Sequence, residues 1–293
     1  MNFKLIKKIN ILLAVLLVLI VTASCGKKQE KPITKSEKEK IPEGLSAMAE
    51  KSDSLIEDIE KIMEEMKKPE KKEEQQSQKN QQNEQSEQSS GEKGEESKEQ
   101  SEGEKSDQQK QPVSKKDKID EMWENTKKSV EEIHTKWNDY EIKALEMGAK
   151  NEDTVKFEDS LDSLTIAVEK KDSLESLHQA NRMNYYMSVF FDPYKGNPDG
   201  EIMRLKYFVR QSHLFGLLND WVKSEESIKM AENSVNTLRP KVKLDKKDEN
   251  LMEKLNLSLL NMKSVVERKN VELLKIKRDI ILENLEQLKE KAK

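Results

Sequence analysis

Apolar side chains recur every three or four residues between residues 43 and 66, which is the spacing of one face of an α-helix. The stripe consists of Leu45, Met48, Leu55, Ile59, Ile62 and Met66, with Ser52 among them. Acidic and basic residues alternate on the opposite face, whereas a helix lying on a membrane surface would carry mostly Lys and Arg there. The pattern therefore predicts an amphipathic helix that docks on protein, either on its own bundle or on a partner.

The same helical spacing dominates residues 117–293, which are long enough to form one domain with its own core. Helices are predicted at about 117–149, from near 152, from about 172, at 201–238 and at 245–289. Asp172 and Glu175 have the spacing of a capping box, which predicts a break at 170–172. The segment 192–200 is the clearest turn, because it contains two prolines and two glycines.

The helix expected at 201–238 is apolar on more than one face, which places it in the middle of a bundle. Gly216 within it would let a neighbouring helix approach closely. Neither strand alternation nor a repeat of constant spacing is present. The sequence therefore predicts an all-α fold, an antiparallel helical bundle with long helices.

A segment without any aliphatic, aromatic or alanine residue separates these two parts of the chain. It runs from Lys67 to Pro112 and consists mainly of Gln, Glu, Lys, Ser and Gly. Such a composition has no apolar surface to bury and cannot offset the entropy cost of ordering. Residues 67–116 are therefore predicted to be a disordered low-complexity linker that acts as a tether.

The N-terminus has the pattern of a secretory signal peptide. Lys4, Lys7 and Lys8 precede an unbroken apolar run over residues 11–21, and small residues follow it. That run is shorter than the ~20 residues that a transmembrane helix needs. Residues 1–24 are therefore predicted to be removed, and residues 25–42 to form a polar leader.

Thr22, Ala23, Ser24 and Cys25 resemble the lipobox of bacterial lipoproteins. The resemblance implies cleavage before Cys25 and a diacylglyceryl group on its thiol, and two acyl chains suffice for stable anchoring. It implies a lipid-anchored protein on the extracytoplasmic face of a cell membrane. The alternative is an ordinary signal peptide that happens to end beside a cysteine.

The composition limits the classes of molecule that the chain is expected to bind. Removal of residues 1–24 changes the formal net charge from −4 to −7, because three lysines and no acid lie within it. An acidic chain is a poor candidate for binding nucleic acid. Cys25 is the only cysteine, so no internal disulfide is expected.

Two Glu-x-x-His pairs occur, Glu131 with His134 and Glu175 with His178. On a helix this spacing places carboxylate and imidazole on one face, and paired copies on facing helices form di-iron sites. A metal site from these four residues is one hypothesis. The alternative is two ordinary half-buried histidines, since glutamate is abundant throughout the chain.

Aromatic residues cluster beside the turn at 192–200, namely Tyr185, Tyr186, Phe190, Phe191 and Tyr194. They could line a ligand pocket or a carbohydrate platform, with Tyr185, Tyr186, Phe190 and Tyr194 as the contact residues. Alternatively they cap the core where helices turn.

No phosphate-binding glycine loop, nucleophile elbow or acid–base pair stands out, so catalysis and a cofactor are not expected. The sequence favours a non-catalytic binding or scaffolding module with a protein or cell-wall partner. The alternatives are a metal- or small-ligand-binding lipoprotein and a hydrolase of wall polymers.

Overall fold

A computed structural model describes residues 40–69 and 114–292, and this part of the chain is all-α, as predicted. It contains eight α-helices, three short 3₁₀ turns and no strand. The helices are α1 Glu43–Lys67, α2 Lys115–Glu146, α3 Asn151–Glu169, α4 Ser173–Met187, α5 Asp199–Leu217, α6 Trp221–Leu238, α7 Asn250–Glu267 and α8 Val271–Lys291.

The first four helices form a closed ring in which each helix packs against two neighbours: α1 on α2, α2 on α3, α3 on α4, and α4 back on α1. Contacts from Lys51 to Glu132 and from Lys118 to Glu65 show that α1 and α2 are antiparallel. The core of this ring holds fully buried side chains from all four helices. Among them are Leu45, Met48, Leu55, Ile59, Ile62, Ile133, Phe157, Leu164 and Met183.

The last four helices form a second closed ring, with α5 on α6, α6 on α7, α7 on α8, and α8 back on α5. Its core is a separate apolar cluster that includes Leu205, Val209, Ile228, Leu255, Met262, Leu274, Ile281 and Leu285. Helices α4 and α5 pack against each other and join the two rings. The antiparallel bundle is thus two adjoining four-helix bundles.

The helix predicted at 43–66 is α1, and it packs within the first bundle. It also contacts the second bundle through Asp53, whose carboxylate lies 2.6 Å from Lys206 Nζ and 2.8 Å from Arg210 Nη1 on α5. Helix α1 therefore belongs to the core of the structure.

Two of the predicted long helices are wrong, because each is broken by a tight turn. The helix expected at 201–238 ends at Leu217, and Asn219 then adopts a φ of 60°. The helix expected at 245–289 breaks at Lys269, whose φ is 53°. Each left-handed residue is followed by an N-cap, Asp220 or Asn270, whose side chain accepts a hydrogen bond from the next helix.

The predicted break at 170–172 is confirmed and has the same design. Lys171 has a φ of 54°, and Asp172 Oδ1 accepts a hydrogen bond from Glu175 N at 3.1 Å. The reciprocal half of the capping box is absent here, since the Glu175 carboxylate accepts from Gln179 instead.

The two ends of the predicted linker lie side by side. Lys115 Nζ, at the start of α2, donates to the carbonyl oxygen of Met66 at 3.0 Å and also to that of Lys68. The helices include Lys67 and Lys115, so the predicted linker boundaries are too wide by a few residues. Residues 70–113 lie outside the described part of the chain.

Candidate functional site

Helices α4 and α5 present a continuous aromatic surface at the junction of the two bundles. Tyr185 lies at ring-centroid distances of 5.6 Å from Tyr186, 4.6 Å from Tyr207 and 5.9 Å from Phe208. Tyr207 and Phe208 are 5.0 Å apart. All four rings are only partly buried, so each keeps a face or an edge toward solvent. We call these residues, with Arg182, the aromatic surface.

Arg182 extends this surface with a positive charge. Its guanidinium carbon lies 5.7 Å from the ring centroid of Tyr186, within the range of a cation–π interaction. The Arg182 side chain is exposed, so its hydrogen-bond donors remain accessible. Arginine and tyrosine are the residue types most enriched among those that dominate binding energy at interfaces.

The tyrosine hydroxyls are available for binding. Burial is the main cause that raises the pKa of Tyr207, and the neighbouring Tyr185 raises it further. The phenol of Tyr207 therefore stays protonated at physiological pH. Among the described residues, no hydrogen bond engages the hydroxyl of Tyr185, Tyr186 or Tyr207. Each hydroxyl therefore offers one donor and acceptor to a partner.

Buried polar contacts beneath the rings fix α4 against α5 and against α1. Asn181 Nδ2 donates to Gln211 Oε1 at 3.1 Å and to the backbone oxygen of Tyr207 at 3.2 Å. Asn184 contacts Ser52 and Asp53 of α1. Because these side chains are buried and mutually bonded, the aromatic surface rests on a rigid support.

The structure divides the four aromatic residues that the sequence suggested as one site. Tyr185 and Tyr186 lie on the aromatic surface. Phe190 is buried and stacks on Trp137 at 5.0 Å, and Tyr194 is buried in the same core. Phe190 and Tyr194 thus lie where the core-capping alternative places them, and the four side chains do not share one exposed surface.

Three residues of the surface were not singled out from the sequence: Arg182, Tyr207 and Phe208. Tyr207 and Phe208 stood in a segment apolar all round, which indicated a central position in the bundle. The signal that could have revealed them is that they are consecutive. Consecutive residues of a helix point about 100° apart, so two adjacent aromatic residues rarely both face the same core.

The two Glu-x-x-His pairs do not form a common site. His134 Nε2 lies 2.9 Å from Thr165 Oγ1, and because that hydroxyl donates to Leu161 O, the histidine is the donor. Glu131 is exposed and His178 is half-buried. Within residues 40–69 and 114–292 no group of three or more His, Cys, Asp or Glu could hold a metal ion, and the four residues of the metal hypothesis are not brought together.

Cys25, the predicted lipidation site, lies outside the described residues. No helix in the described ranges has the length and apolarity to cross a membrane. Comparison of the chain with protein-family models, curated proteins and solved structures found no match.

Proposed function

We propose that this chain is a lipid-anchored, non-catalytic binding module that holds a protein or cell-wall partner on the aromatic surface. The observation that carries the proposal is the set of four adjoining, partly exposed rings flanked by Arg182. Isolated apolar side chains are common on protein surfaces, but a continuous aromatic patch with free polar groups is typical of an interface.

The anchor is the second part of the proposal and rests on the sequence. A diacylated Cys25 would hold the chain on the extracytoplasmic face of the membrane. Because α1 belongs to the first bundle, the chain between anchor and folded body runs only from Cys25 to Lys40. Fifteen residues span at most about 50–55 Å, so the partner would lie near the membrane surface.

The anchor is tested by labelling. Radiolabelled palmitate should be incorporated into the protein in its native host, and Cys25→Ser should abolish incorporation and release the protein from the membrane fraction. Equal labelling of the Cys25→Ser variant contradicts lipidation at this thiol.

The binding surface is tested by site-specific photo-crosslinking in intact cells. A photoreactive residue at position 186 should yield one discrete adduct, identified by mass spectrometry of the captured protein or glycan. The matched control is position 142, because Ile142 is an exposed apolar residue on α2 outside the surface. The adduct should disappear when Arg182→Ala and Tyr207→Ala are added.

The surface assignment is overturned if position 142 gives the same adduct as position 186. It is also overturned if the adduct persists unchanged in the double variant. Circular dichroism of each variant separates loss of binding from loss of fold.

A further inference from the structure

A cavity of about 240 Å³ opens between the C-terminal part of α1 and the N-terminal part of α8. Helices α4 and α5 form its back. Its apolar walls are Met63, Leu177, Leu217 and Val271, and its lining also carries charged side chains of both signs. The volume is below the ~300 Å³ of the smallest drug-sized pockets, which limits an occupant to a small molecule.

Arg278 forms the floor of the cavity and is itself fully engaged. It is 3% exposed. Its five N–H groups donate to Glu60 at 2.5 and 2.9 Å, to Asp279 Oδ1 at 2.6 and 2.8 Å, and to His213 Nδ1 at 3.0 Å. A guanidinium has five donors and no acceptor. Arg278 therefore has no donor left for a ligand, and its role is to orient His213.

His213 is held in one tautomer by this contact. Because Arg278 only donates, Nδ1 of His213 accepts, and the proton of the neutral ring is on Nε2. Burial is the largest cause that lowers the pKa of His213, and the positive charge of Arg278 is the second. Together they lower it to about 3, so the ring is neutral at physiological pH.

The Nε2–H group has no hydrogen-bond partner among the described residues, although His213 is only 5% exposed and lines the cavity. An acceptor atom of a ligand in the cavity would complete the hydrogen bonding of this ring. The cavity thus presents one fixed donor to its occupant.

The rim favours an acceptor with negative charge. Lys275 is paired with Glu64 at 3.1 Å, whereas Lys67 and Glu272 have no ion-pair partner among the described residues. Of these two charges, it is the charge of Lys67 that acts on His213. The N-terminus of α8, at Val271 and Glu272, also borders the cavity, and the dipole of a long helix favours an anion there. The negative end of the α1 dipole, at its C-terminus, already interacts with the Lys115 ammonium, which donates to the carbonyl oxygen of Met66.

We propose that this cavity binds a small carboxylate with an aliphatic body. The carboxylate accepts from His213 Nε2–H and faces the Lys67 ammonium, and the aliphatic part packs against Met63, Leu177 and Leu217. The site is separate from the aromatic surface, so its failure would leave the proposed function intact.

The test is calorimetric and NMR titration of the 26–293 protein with hexanoate, and with hexylammonium and hexanol as charge controls. Hexanoate should bind saturably with a Kd of order 1–10 mM, as expected for a ligand of eight heavy atoms. It should shift the Nε2–H resonance of His213. Hexylammonium and hexanol should bind at least tenfold more weakly.

Three variants separate the site from general effects. Lys67→Met should weaken hexanoate binding about fivefold, and Val271→Trp should block it by filling the mouth. Lys61→Met is the matched control, because Lys61 is an exposed lysine on the same helix outside the cavity. The affinity of this variant for hexanoate should equal that of the wild type.

Equal binding of all three probes, an unshifted His213 resonance, or an unchanged affinity in Lys67→Met overturns the proposal. Both exposed lysines lie on the surface of α1, so neither substitution threatens the fold.

Discussion

Asp53 is one of the residues through which α1 contacts the second bundle. Its carboxylate accepts hydrogen bonds from Lys206 at 2.6 Å and from Arg210 at 2.8 Å. Lys206 also contacts Glu286 of α8, while Asp53 is the only ion-pair partner of Arg210 among the described residues. Arg210 is almost fully buried, so loss of the Asp53 charge leaves a buried cation unpaired.

This arrangement predicts acid sensitivity. Burial alone would raise the pKa of Asp53, but Arg210 and Lys206 outweigh it and lower the pKa to about 2. A carboxyl group with a lowered folded-state pKa stabilises the fold above its unfolded pKa near 3.9. Its contribution, about 2 kcal/mol, is lost as the pH falls from about 4 to 2.

The measurement is urea unfolding of wild type and Asp53→Asn at several pH values. At pH 7 the variant should be less stable by about 3 kcal/mol, and the gap should narrow below pH 4. Asp58→Asn is the control: Asp58 is on the same helix but pairs with exposed Lys61, so the change should cost less than about 0.5 kcal/mol. A gap that stays constant down to pH 2 contradicts the role of Asp53.

At the scale of the elements, Gly200 at the start of α5 allows close contact with the turn before it. A Cβ at this position would lie 2.9 Å from both the Ser188 carbonyl oxygen and Phe191 Cβ. Neither atom belongs to a flexible side-chain end, so the backbone would have to move. Gly200 is therefore required by packing and not only by the turn composition that the sequence showed.

Gly200→Ala should destabilise the fold by about 1–2 kcal/mol, because overlap outweighs the better helix propensity of alanine. Gly44→Ala is a matched control at the second residue of α1, where a Cβ would meet nothing within 4 Å. That change should stabilise by up to about 1 kcal/mol. Thermal unfolding of the two variants should move in opposite directions, and a stabilised Gly200→Ala protein would refute the steric argument.

The tight turns at Lys171, Asn219 and Lys269 explain which helices the sequence predicted correctly. Each turn places a left-handed residue before an Asp or Asn N-cap. Only the turn at 170–172 was predicted, because there the apolar stripe also changes phase. At Asn219 and Lys269 the apolar spacing continues across the break, so periodicity alone joined two helices into one.

Lysine in the left-handed region is strained, since its Cβ approaches the backbone carbonyl at a cost of about 1–2 kcal/mol. Lys269→Gly should therefore raise stability by about 1 kcal/mol in chemical unfolding. The same substitution at Lys277, inside α8, is the control and should lower stability by about 1 kcal/mol. Destabilisation by Lys269→Gly would show that this lysine makes a contact that outweighs the strain.

For the candidate site, the sequence located two of the four rings of the aromatic surface. Tyr185 and Tyr186 were recognised from their clustering. Tyr207 and Phe208 were taken for core, because an apolar stretch does not reveal which of its faces packs. That depends on the long-range pairing of α4 with α5. The meeting of Glu60, His213 and Arg278, which are far apart in the chain, depends on the packing of α1, α5 and α8.

At the scale of the whole molecule, α1 completes the first bundle from the far side of the long low-complexity segment. It contributes five fully buried side chains to the first core, Leu45, Met48, Leu55, Ile59 and Ile62. The sequence suggested that the segment after it holds the folded domain away from the membrane. Because α1 packs on α2 and α4, the described residues on either side of this segment, Lys68 and Lys115, lie in contact with each other.

This topology predicts that residues 70–113 are dispensable for folding. Lys115 contacts the last carbonyl groups of α1, so a connection of about six Gly and Ser residues should close the gap. For a flexible chain, shortening a loop of 44 residues to six lowers the entropy cost of closure by about 1–2 kcal/mol. The shortened protein should therefore be more stable than the full chain by that amount in urea unfolding.

Deletion of α1 tests whether the low-complexity segment connects two parts of one folded core or acts as a tether. Residues 114–293 alone should lose protection from hydrogen exchange most strongly in α2, α3 and α4, because the first core has lost one of its four helices. The loss should be smaller in α5–α8, where the carboxylates paired with Arg210 and Arg278 are missing. A synthetic peptide of residues 40–69 should restore the protection in trans. If the 114–293 fragment is fully protected without the peptide, α1 is not part of the first core, and the low-complexity segment is free to act as a spacer.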